Sequence, residues 1–358
     1  MGVIRRCWSW RRGSRVWLGS RRRGERRQGA VRRTRRLYWI GCPTAHRVIH
    51  NAAESPAVPP QHFRSIRDLS AEELDGLLDS ALAIKRDGCG PELAGQVLAL
   101  VFEKPSLRTR LAFEVAMHRL GGRAVYLGPQ EVGAGSREPV RDIARVASRM
   151  AHGIAVRTFK HETVEEFAEW STVPVINGLS DREHPCQALA DLLTLRERFG
   201  SLHGLRLAYL GEGNNVSRAL ANAAVLAGID FRCASPDGYG LSEADLDVAR
   251  ATGGPGRVTQ TDDPREALRD ASAVYTDVWA SMGEEDLLAS RIEAFGPFRL
   301  DDDLLASAPP DALVMHDLPA HRGEEITDEV IESPRSVVFD QAENRVHTQQ
   351  AVLLSLLG

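Results

Sequence analysis

The sequence lacks several features that would assign it to other classes of protein. It contains no run of about 20 apolar residues, so we expect no membrane-spanning segment and no membrane partner. Its five cysteines are scattered without a CxxC spacing, which argues against disulfides and a structural zinc site and favours a reducing compartment. Beyond residue 60, acidic residues outnumber basic ones, so no nucleic acid partner is expected for this part.

The first 61 residues differ in composition from everything that follows. Residues 1–60 contain 15 arginines, no lysine and only two acids, Glu25 and Glu54. Such a segment fits a transit peptide, an arm that binds nucleic acid, or codons translated upstream of the true start. We therefore interpret residues 1–61 as a basic extension that is disordered or non-native. A cytoplasmic protein is expected, with an organelle as the alternative if the segment is a genuine transit peptide.

From residue 62 onward, the apolar pattern alternates between the periods of strands and helices. QVLALVF (96–102) is typical of a strand covered on both faces, and Ser70 with Glu73 predicts a capping box that starts the preceding helix. Further strands are predicted at 124–127, 154–157, 173–177, 205–211, 231–235, 273–278, 312–316 and 336–339. Strands that alternate with helices in this way indicate an α/β fold with parallel sheets.

Two such domains account for the length of the pattern. We place the first over residues 62–195 and the second over 196–340, with an amphipathic helix over 184–199 bridging them. The last segment, 341–358, is predicted to be a helix that packs back on the first domain. Ligands of open parallel sheets bind at the carboxyl ends of the strands, so residues at these ends are the candidates for function.

The segment FEKPSLRTR (102–110) closes one strand and opens a helix. Ser106 and Thr109 offer hydroxyl groups, and Arg108 and Arg110 offer cations beside the free N–H groups of the first helical turn. Cations at a helix N-terminus oppose the helix dipole. Their placement therefore favours an anion site, in particular a phosphate site, over a surface arginine pair on an ordinary capped helix.

Other strand ends carry polar residues as well. Arg157 ends a buried strand, and His184 and Gln187 open the bridging helix, where they either cap the helix or donate to a carbonyl oxygen. In YLGEGNNV (209–216), two glycines match a dinucleotide-binding fingerprint, but Val216 replaces the third glycine. This substitution argues against a nicotinamide cofactor.

These stretches, in this order, resemble the aspartate/ornithine carbamoyltransferase family. SLRTR resembles its phosphate motif, and HPCQALADLLTL resembles its H-P-x-Q helix. GEGNNV, DVWASMG and HDLPAHRGEE fall where the members that act on ornithine carry G-D-x-N-N, D-x-x-x-S-M-G and H-C-L-P. The resemblance covers residues 62–358. It implies transfer of a carbamoyl group from carbamoyl phosphate to the δ-amine of L-ornithine, which gives citrulline and phosphate in arginine biosynthesis or breakdown.

The resemblance also implies an assembly and a set of site residues. It implies homotrimers with sites at the subunit interfaces, closure of the two domains over the substrates, and no metal or cofactor. The residues expected to bind carbamoyl phosphate are Ser106, Leu107, Arg108, Thr109, Arg110, Arg157, His184, Gln187 and Arg345. Those expected to bind ornithine are Asn215, Asp277, Ser281, Met282, Asp317 and Leu318. Those expected to act in catalysis are Arg157, His184, Asp317 and Arg345.

The sequence departs from the family pattern at two places. Where the family carries the cysteine of H-C-L-P, this chain has Asp317, which we expect to bind the reacting amine and to accept its proton. The alternative is a salt bridge from Asp317 to Arg322 or Arg345. Gly133 occupies the place of a glutamine that reaches the neighbouring subunit's site, although Gln130 lies close by.

Three other functions remain open from the sequence. The chain could use another acceptor (aspartate, N-acetylornithine or putrescine), but the acidic SMGEEDL segment argues against aspartate. Putrescine has no carboxylate for Asn215 to bind. A nucleotide-binding oxidoreductase and a non-catalytic homologue are the alternatives from other classes.

Overall fold

The computed structural model describes residues 62–134, 137–280 and 288–358. By its contacts the chain divides into residues 1–56 and residues 57–358, and every described residue belongs to the second unit. The interpretation of the basic leader and the sites predicted at Ser281 and Met282 therefore lie outside the described residues. Within the described part, no helix combines the length and the apolar character needed to cross a membrane.

Strands and helices alternate throughout the described part, as the sequence pattern predicts. The strands are β1 (Val97–Phe102), β2 (Arg123–Leu127), β3 (Gly153–Arg157), β4 (Val175–Leu179), β5 (Arg206–Leu210), β6 (Asp230–Ala234), β7 (Arg257–Thr261), β8 (Ala273–Thr276) and β9 (Leu313–His316). The first helices are α1 (Ala71–Asp87), α2 (Leu107–Arg119), α3 (Pro129–Val132), α4 (Val140–Met150), α5 (His161–Trp170), α6 (Pro185–Phe199) and α7 (Asn215–Leu226). The remaining helices are α8 (Glu243–Arg250), α9 (Pro264–Leu268), α10 (Leu288–Phe295), α11 (Asp302–Leu305), α12 (Asp328–Ile331) and α13 (Val338–Leu357).

The strands form two parallel sheets. Their orders are β2-β1-β3-β4 and β7-β6-β5-β8-β9, and every pairing between neighbouring strands is parallel. In each sheet the connections run outward in both directions from a central strand, β1 in the first and β5 in the second. A crevice opens beside such a strand at its carboxyl end, which is where ligands bind in open α/β sheets. The predicted fold class is confirmed.

Two long helices join the halves of this unit. Helix α6 packs on α1 and β4 of the first half and on α7 of the second, and residues 183–195 are all buried. Helix α13 packs against α6, α1 and α2, and also contacts β9. The bridging helix and the returning terminal helix are thus both present. One apolar core continues from α1 and β1 through α6 to β5 and α7, which fixes the two sheets against each other.

One predicted strand is wrong. SVVF (336–339) reads as a strand because of its β-branched and aromatic residues, but α13 begins at Val338. Only Ser336 makes an isolated bridge, to Val314, and the Val337 N–H donates to the Val314 carbonyl at 2.9 Å. The sequence pattern also missed β7, because Val258 is the one buried side chain of this edge strand.

Candidate functional site

The carboxyl ends of both sheets open into one cavity of about 700 Å³. From the first sheet, the cavity is lined by the segment after β1 and by the ends of β3 and β4. From the second sheet, the residues that follow β5, β8 and β9 line it. The predicted positions of functional residues at strand ends therefore converge, although they are spread over more than 200 residues of sequence.

One end of the cavity is built around the first turn of α2. Ser106 is the N-cap, and its Oγ accepts the backbone N–H of Thr109 at 3.1 Å. The Thr109 hydroxyl in turn accepts from Nη2 of Arg345 at 2.9 Å and from Nη1 of Arg157 at 3.3 Å. Arg108, which is half-buried, lines the same end. The N-terminus of α2 thus carries guanidinium groups from β3 and α13 as well as its own.

No carboxylate among the described residues forms a close ion pair with these guanidinium groups, although the charge of Asp317 acts on all three. Arg157 and Arg345 are 6% and 2% exposed, and Nε of each meets no acceptor among the described residues. Burial, together with the like charges of Arg345 and Arg108, lowers the pKa of Arg157 to about 9. An anion bound here would relieve both the burial cost and the repulsion, so this end fits an oxyanion such as phosphate.

His184 stands beside the arginines as a neutral group. It occupies the N-cap position of α6, but its side chain makes no capping hydrogen bond, so the simpler interpretation as a helix cap does not hold. The residue is 3% exposed and lines the cavity. Burial and the cations of Arg345 and Arg157 lower the pKa of His184 well below its ordinary value. A neutral imidazole can donate a hydrogen bond to a carbonyl oxygen without adding a fourth charge.

Two of the residues predicted to bind carbamoyl phosphate do not line the cavity. Arg110 is exposed, bonds to Glu114 at 2.8 Å and stacks on the ring of Tyr126 at 3.9 Å. Gln187 is 1% exposed and donates from Nε2 to Asp191 at 2.8 Å, whereas its Oε1 meets no donor among the described residues. A glutamine held in this way offers an acceptor rather than the donor that the sequence suggested.

The other end of the cavity is acidic. Asp277 and Asp317 follow the neighbouring strands β8 and β9, and their carboxyl groups are hydrogen-bonded to each other. Asn214 donates from Nδ2 to Asp277 at 2.8 Å, and the Val278 N–H donates to the other oxygen at 2.7 Å. Burial and the charge of Asp317 raise the pKa of Asp277 well above its ordinary value. The protonated form of Asp277 is therefore favoured while Asp317 beside it is charged.

Asp317 keeps its charge because of His316. Burial alone would raise the pKa of Asp317, but the hydrogen bond and charge of His316 outweigh it, so this pKa lies below its ordinary value. The two carboxylates Asp317 and Glu325 likewise overcome burial and raise the pKa of His316 to about 9. Nε2 of His316 faces the Glu325 carboxylate at 3.1 Å, and Nδ1 faces the Asp317 carboxylate at 3.4 Å.

The salt-bridge alternative for Asp317 is not what the structure contains. Arg322 bonds to Asp328 at 2.6 Å and to Glu332 at 2.7 Å on the surface, and Arg345 is directed at Thr109. Leu318, also predicted, lines the cavity with a left-handed backbone (φ 59°), a conformation that is uncommon for a residue with a side chain.

The loop after β5 supplies residues that the sequence analysis did not single out. Asn215, which was predicted, lines the cavity and donates from Nδ2 to the Ser180 carbonyl at 2.7 Å. The missed neighbour is Asn214, whose Oδ1 caps α7 while its amide group holds Asp277. Asparagine before a helix is a strong N-cap signal, so it was available from the sequence. Glu212, which lines the cavity and forms an ion pair with buried Arg291, was also missed.

Fold and site together define a class of two-sheet α/β protein in which a single cavity has a basic end suited to an oxyanion and an acidic end suited to a cation. Residues 61–197 match the family model described as aspartate/ornithine carbamoyltransferase, carbamoyl-P binding domain. Residues 203–356 match the model described as aspartate/ornithine carbamoyltransferase, Asp/Orn binding domain. The chain belongs to the aspartate/ornithine carbamoyltransferase family, as the sequence motifs indicated.

Individual relatives agree with the family models. The chain is 51% identical over 299 residues to the ornithine carbamoyltransferase of Methanocorpusculum labreanum, with 82% of this chain and 97% of the relative covered. It is 52% identical over 299 residues to the ornithine carbamoyltransferase of Thermus thermophilus, with 83% and 97% covered. The solved structure of the Pyrococcus furiosus ornithine carbamoyltransferase has a TM-score of 0.80 at 44% identity, with 85% of this chain and 99% of that one covered.

Proposed function

We propose that the protein is an ornithine carbamoyltransferase, which transfers the carbamoyl group of carbamoyl phosphate to the δ-amine of L-ornithine. The observation that carries this proposal is the polarity of the cavity. Three guanidinium groups and a neutral histidine lie at one end, and two interacting carboxyl groups lie at the other. The relatives at about half identity, all ornithine carbamoyltransferases by name, support the same activity.

The basic end receives carbamoyl phosphate. The phosphate oxygens are bound by the N-terminus of α2, with Ser106 and Thr109, and by Arg108. Arg157 and His184 donate to the carbonyl oxygen, on which negative charge develops as the amine attacks. Arg345 lies between these two groups through its bond to Thr109. Phosphate is a good leaving group, so positioning and charge stabilisation supply most of the catalysis.

The acidic end receives ornithine, which carries two ammonium groups and one carboxylate. Asp277 binds the α-ammonium group, and Asn215 binds the α-carboxylate. Asp317 holds the reacting amine, and Leu318 packs beside it. Ser281 and Met282 are also expected to contact ornithine. These assignments follow from the family resemblance, and those of Asp277 and Asp317 follow also from the charge that a carboxylate offers to an ammonium group.

The reaction itself makes one bond and breaks another. The lone pair of the uncharged δ-nitrogen attacks the carbonyl carbon, and the C–O bond to phosphate then breaks, with its electron pair leaving on phosphate. The nitrogen loses one proton. Because the pKa of Asp317 lies below its ordinary value, Asp317 is better suited to orient the amine than to keep this proton. The departing phosphate is the stronger base, and it takes the proton.

Charge also separates ornithine from the alternative acceptors. Aspartate would bring a second carboxylate into an end lined by Asp277 and Asp317, where the charge of Asp317 would repel it. N-acetylornithine lacks the α-ammonium charge that Asp277 offers to bind. Putrescine lacks the carboxylate. Ornithine is therefore the acceptor that satisfies Asp277, Asn215 and Asp317 together.

The proposal is tested by following citrulline and phosphate from carbamoyl phosphate with ornithine, aspartate, putrescine, lysine or N-acetylornithine as the acceptor. We expect ornithine to give the highest kcat/KM and citrulline to equal the phosphate released. A higher kcat/KM with another acceptor would overturn the choice of substrate. Absence of phosphate release with every acceptor would favour a non-catalytic homologue.

We further propose a homotrimer that works in the cytoplasm in arginine biosynthesis. The family resemblance supports the assembly, and so do the large apolar side chains left exposed on α2 and β2. Leu107, Leu111 and Val125 are 75%, 54% and 47% exposed. Gln130 is exposed on the adjoining helix α3, from which it could reach a neighbouring subunit. Light scattering on purified protein should give the mass of three chains, and the mass of one chain would contradict the proposal.

A further inference from the structure

A short segment, residues 180–183, connects β4 of the first sheet to α6 and is bonded to α7 of the second half. Three side chains of α7 donate hydrogen bonds to it. These bonds run from Nδ2 of Asn215 to the Ser180 carbonyl at 2.7 Å, from Nη1 of Arg218 to the Asp181 carbonyl at 3.2 Å, and from Nδ2 of Asn222 to Oε1 of Glu183 at 3.2 Å. Residues three and seven positions apart lie on one face of a helix, so the segment is fixed along α7 at three points.

Glu183 joins this segment to both halves of the unit. The residue is 4% exposed. Its Oε1 accepts from Oγ of Ser65 at 2.8 Å as well as from Asn222, and its Oε2 accepts the backbone N–H of Ile66 at 3.1 Å. Ser65 and Ile66 precede α1 in the first half, whereas Asn222 lies on α7 in the second. All three donors are neutral groups, and an acid buried among neutral groups is costly, so its presence calls for a role.

The segment lies in the chain between two points that the proposed function assigns to different substrates. At its start, the Ser180 carbonyl is bonded to Asn215, which is assigned to the α-carboxylate of ornithine. At its end, Glu183 is followed directly by His184, which is assigned to the carbonyl oxygen of the donor. The position of the segment against α7 therefore sets how far the group that holds the acceptor lies from the carbon that the amine attacks.

This separation has to match the length of the acceptor. Ornithine has three methylene groups between its α-carbon and the reacting amine, lysine has four and 2,4-diaminobutyrate has two. With the α-carboxylate held at Asn215, a chain of the wrong length places its nitrogen away from the carbonyl carbon. Such a misplacement is costly, because attack requires the reacting atoms to be close together and aligned.

We propose that Glu183 is a positioning residue which, through its bond to Asn222, sets the length of the acceptor that the site uses. This inference rests on the proposed function and deepens it. Glu183 acts by fixing the 180–183 segment on α7, and thereby the separation of Asn215 from His184. When the bond is removed, this separation varies, and the enzyme distinguishes acceptors of different length less sharply.

Three variants separate this role from a general effect on folding. Asn222→Leu removes the bond from α7 and leaves Glu183 bonded to Ser65 and Ile66. Glu183→Met keeps the length of the side chain without its acceptors, and it remains informative if Asn222→Leu does not fold. Ser65→Ala is the matched control, because it removes a bond to the same Oε1 atom from the first half and leaves the bond to α7 in place.

The experiment measures kcat/KM of the full chain for ornithine, lysine and 2,4-diaminobutyrate at saturating carbamoyl phosphate. The readout is the ratio of kcat/KM for ornithine to that for each other acceptor, which does not depend on the fraction of the protein that is folded. One methylene group of mismatch is worth about 10–200-fold in specificity, so we expect both ratios to be roughly 100 in the parent and in Ser65→Ala. In Asn222→Leu and Glu183→Met both ratios should fall to about 10 or less.

Distinct outcomes overturn the inference and the proposed function. Ratios in Asn222→Leu or Glu183→Met that equal those of the parent refute the positioning role. So does an equal fall in Ser65→Ala, which would show that the bond to α7 has no effect of its own. A fall against one of the two other acceptors alone also refutes it, because a variable separation affects longer and shorter chains alike. A parent that carbamoylates none of the three amines overturns the proposed function, and the inference falls with it.

Discussion

Replacing Asp317 with asparagine tests whether its charge holds the reacting amine. The substitution keeps the shape of the side chain and removes a carboxylate that is 12% exposed and paired with Asp277. Asp277 remains to bind the other ammonium group. The basic end is not altered in composition. The change therefore removes one charge from the site with little change in the shape of the side chain.

The expected loss can be worked from the geometry. Two unit charges about 4 Å apart attract by about 4 kcal/mol at an effective dielectric constant of 20. Desolvation of the amine offsets part of this, and the net value of a hydrogen bond to a charged group is about 1.5–3 kcal/mol. We take about 2 kcal/mol as the net stabilisation of the amine by the charge of Asp317, so its loss corresponds to roughly a 30-fold lower kcat/KM for ornithine.

Steady-state kinetics with ornithine as the varied substrate measure this loss. Carbamoyl phosphate should bind no more weakly, because Asp317 is a counter-charge and not a ligand of the donor. Asp317→Cys, which restores the family residue, should be tolerated. Since the charge of Asp317 helps to raise the pKa of Asp277, the acidic limb of the plot of kcat/KM for ornithine against pH should move to lower pH in Asp317→Asn. An unchanged kcat and ornithine KM in Asp317→Asn would refute the reasoning.

Two further predictions concern charges at the basic end and in α6. Arg108→Met should weaken carbamoyl phosphate binding at least tenfold, as measured by calorimetry, because Arg108 lines the cavity. Arg110→Met should change the affinity by less than about threefold, because Arg110 is an exposed partner of Glu114. Equal losses of affinity in the two variants would contradict the assignment. Burial raises the pKa of Asp191 to about 7. As the pH rises towards 7, the unfolded chain releases this proton while the native state keeps it, so the free energy of unfolding falls, and this fall ends once the pH has passed 7. In urea unfolding, the free energy of unfolding of Asp191→Asn should therefore rise by about 2 kcal/mol relative to that of the parent between pH 5.5 and pH 8.5. A difference that does not change with pH would contradict the burial of a titrating group.

Local patterns were sufficient for most of the elements. The capping box of Ser70 and Glu73 forms as expected, and the apolar run of β1 is covered on both faces. The N-terminus of α2 lies at the cavity, as the hydroxyl and arginine pattern predicts. Each of these signals lies within a few residues of sequence, where hydrogen bonding and helix periodicity act directly.

The exposed position of Arg110 could have been predicted from the sequence, whereas the hydrogen bonds that Asp191 makes could not. Residues two apart on a helix point to nearly opposite sides, so Arg108 and Arg110 cannot both face one cavity. Asp191, by contrast, meets Gln341 across 150 residues of sequence. Neither residue type nor spacing predicts that contact, because it depends on how α13 returns to α6. The same holds for the raised pKa of Asp277 beside Asp317, which needs β8 next to β9.

Asp317 is the residue of the cavity that departs from the family pattern, and its charge acts on groups at both ends of the cavity. Its charge raises the pKa values of Arg108, Arg157 and Arg345, against the burial that lowers them. Its carboxyl group is at the same time bound to that of Asp277. A cysteine in its place would be mostly neutral and would supply neither counter-charge. With the proposed function, the dianionic phosphate of the donor would take over the role of counter-charge to the arginines, which would leave the carboxylate of Asp317 for the amine. An aspartate in place of the cysteine of H-C-L-P thus changes the distribution of charge along the whole cavity. The kinetic effects of substitutions at this position therefore have to be measured for both substrates.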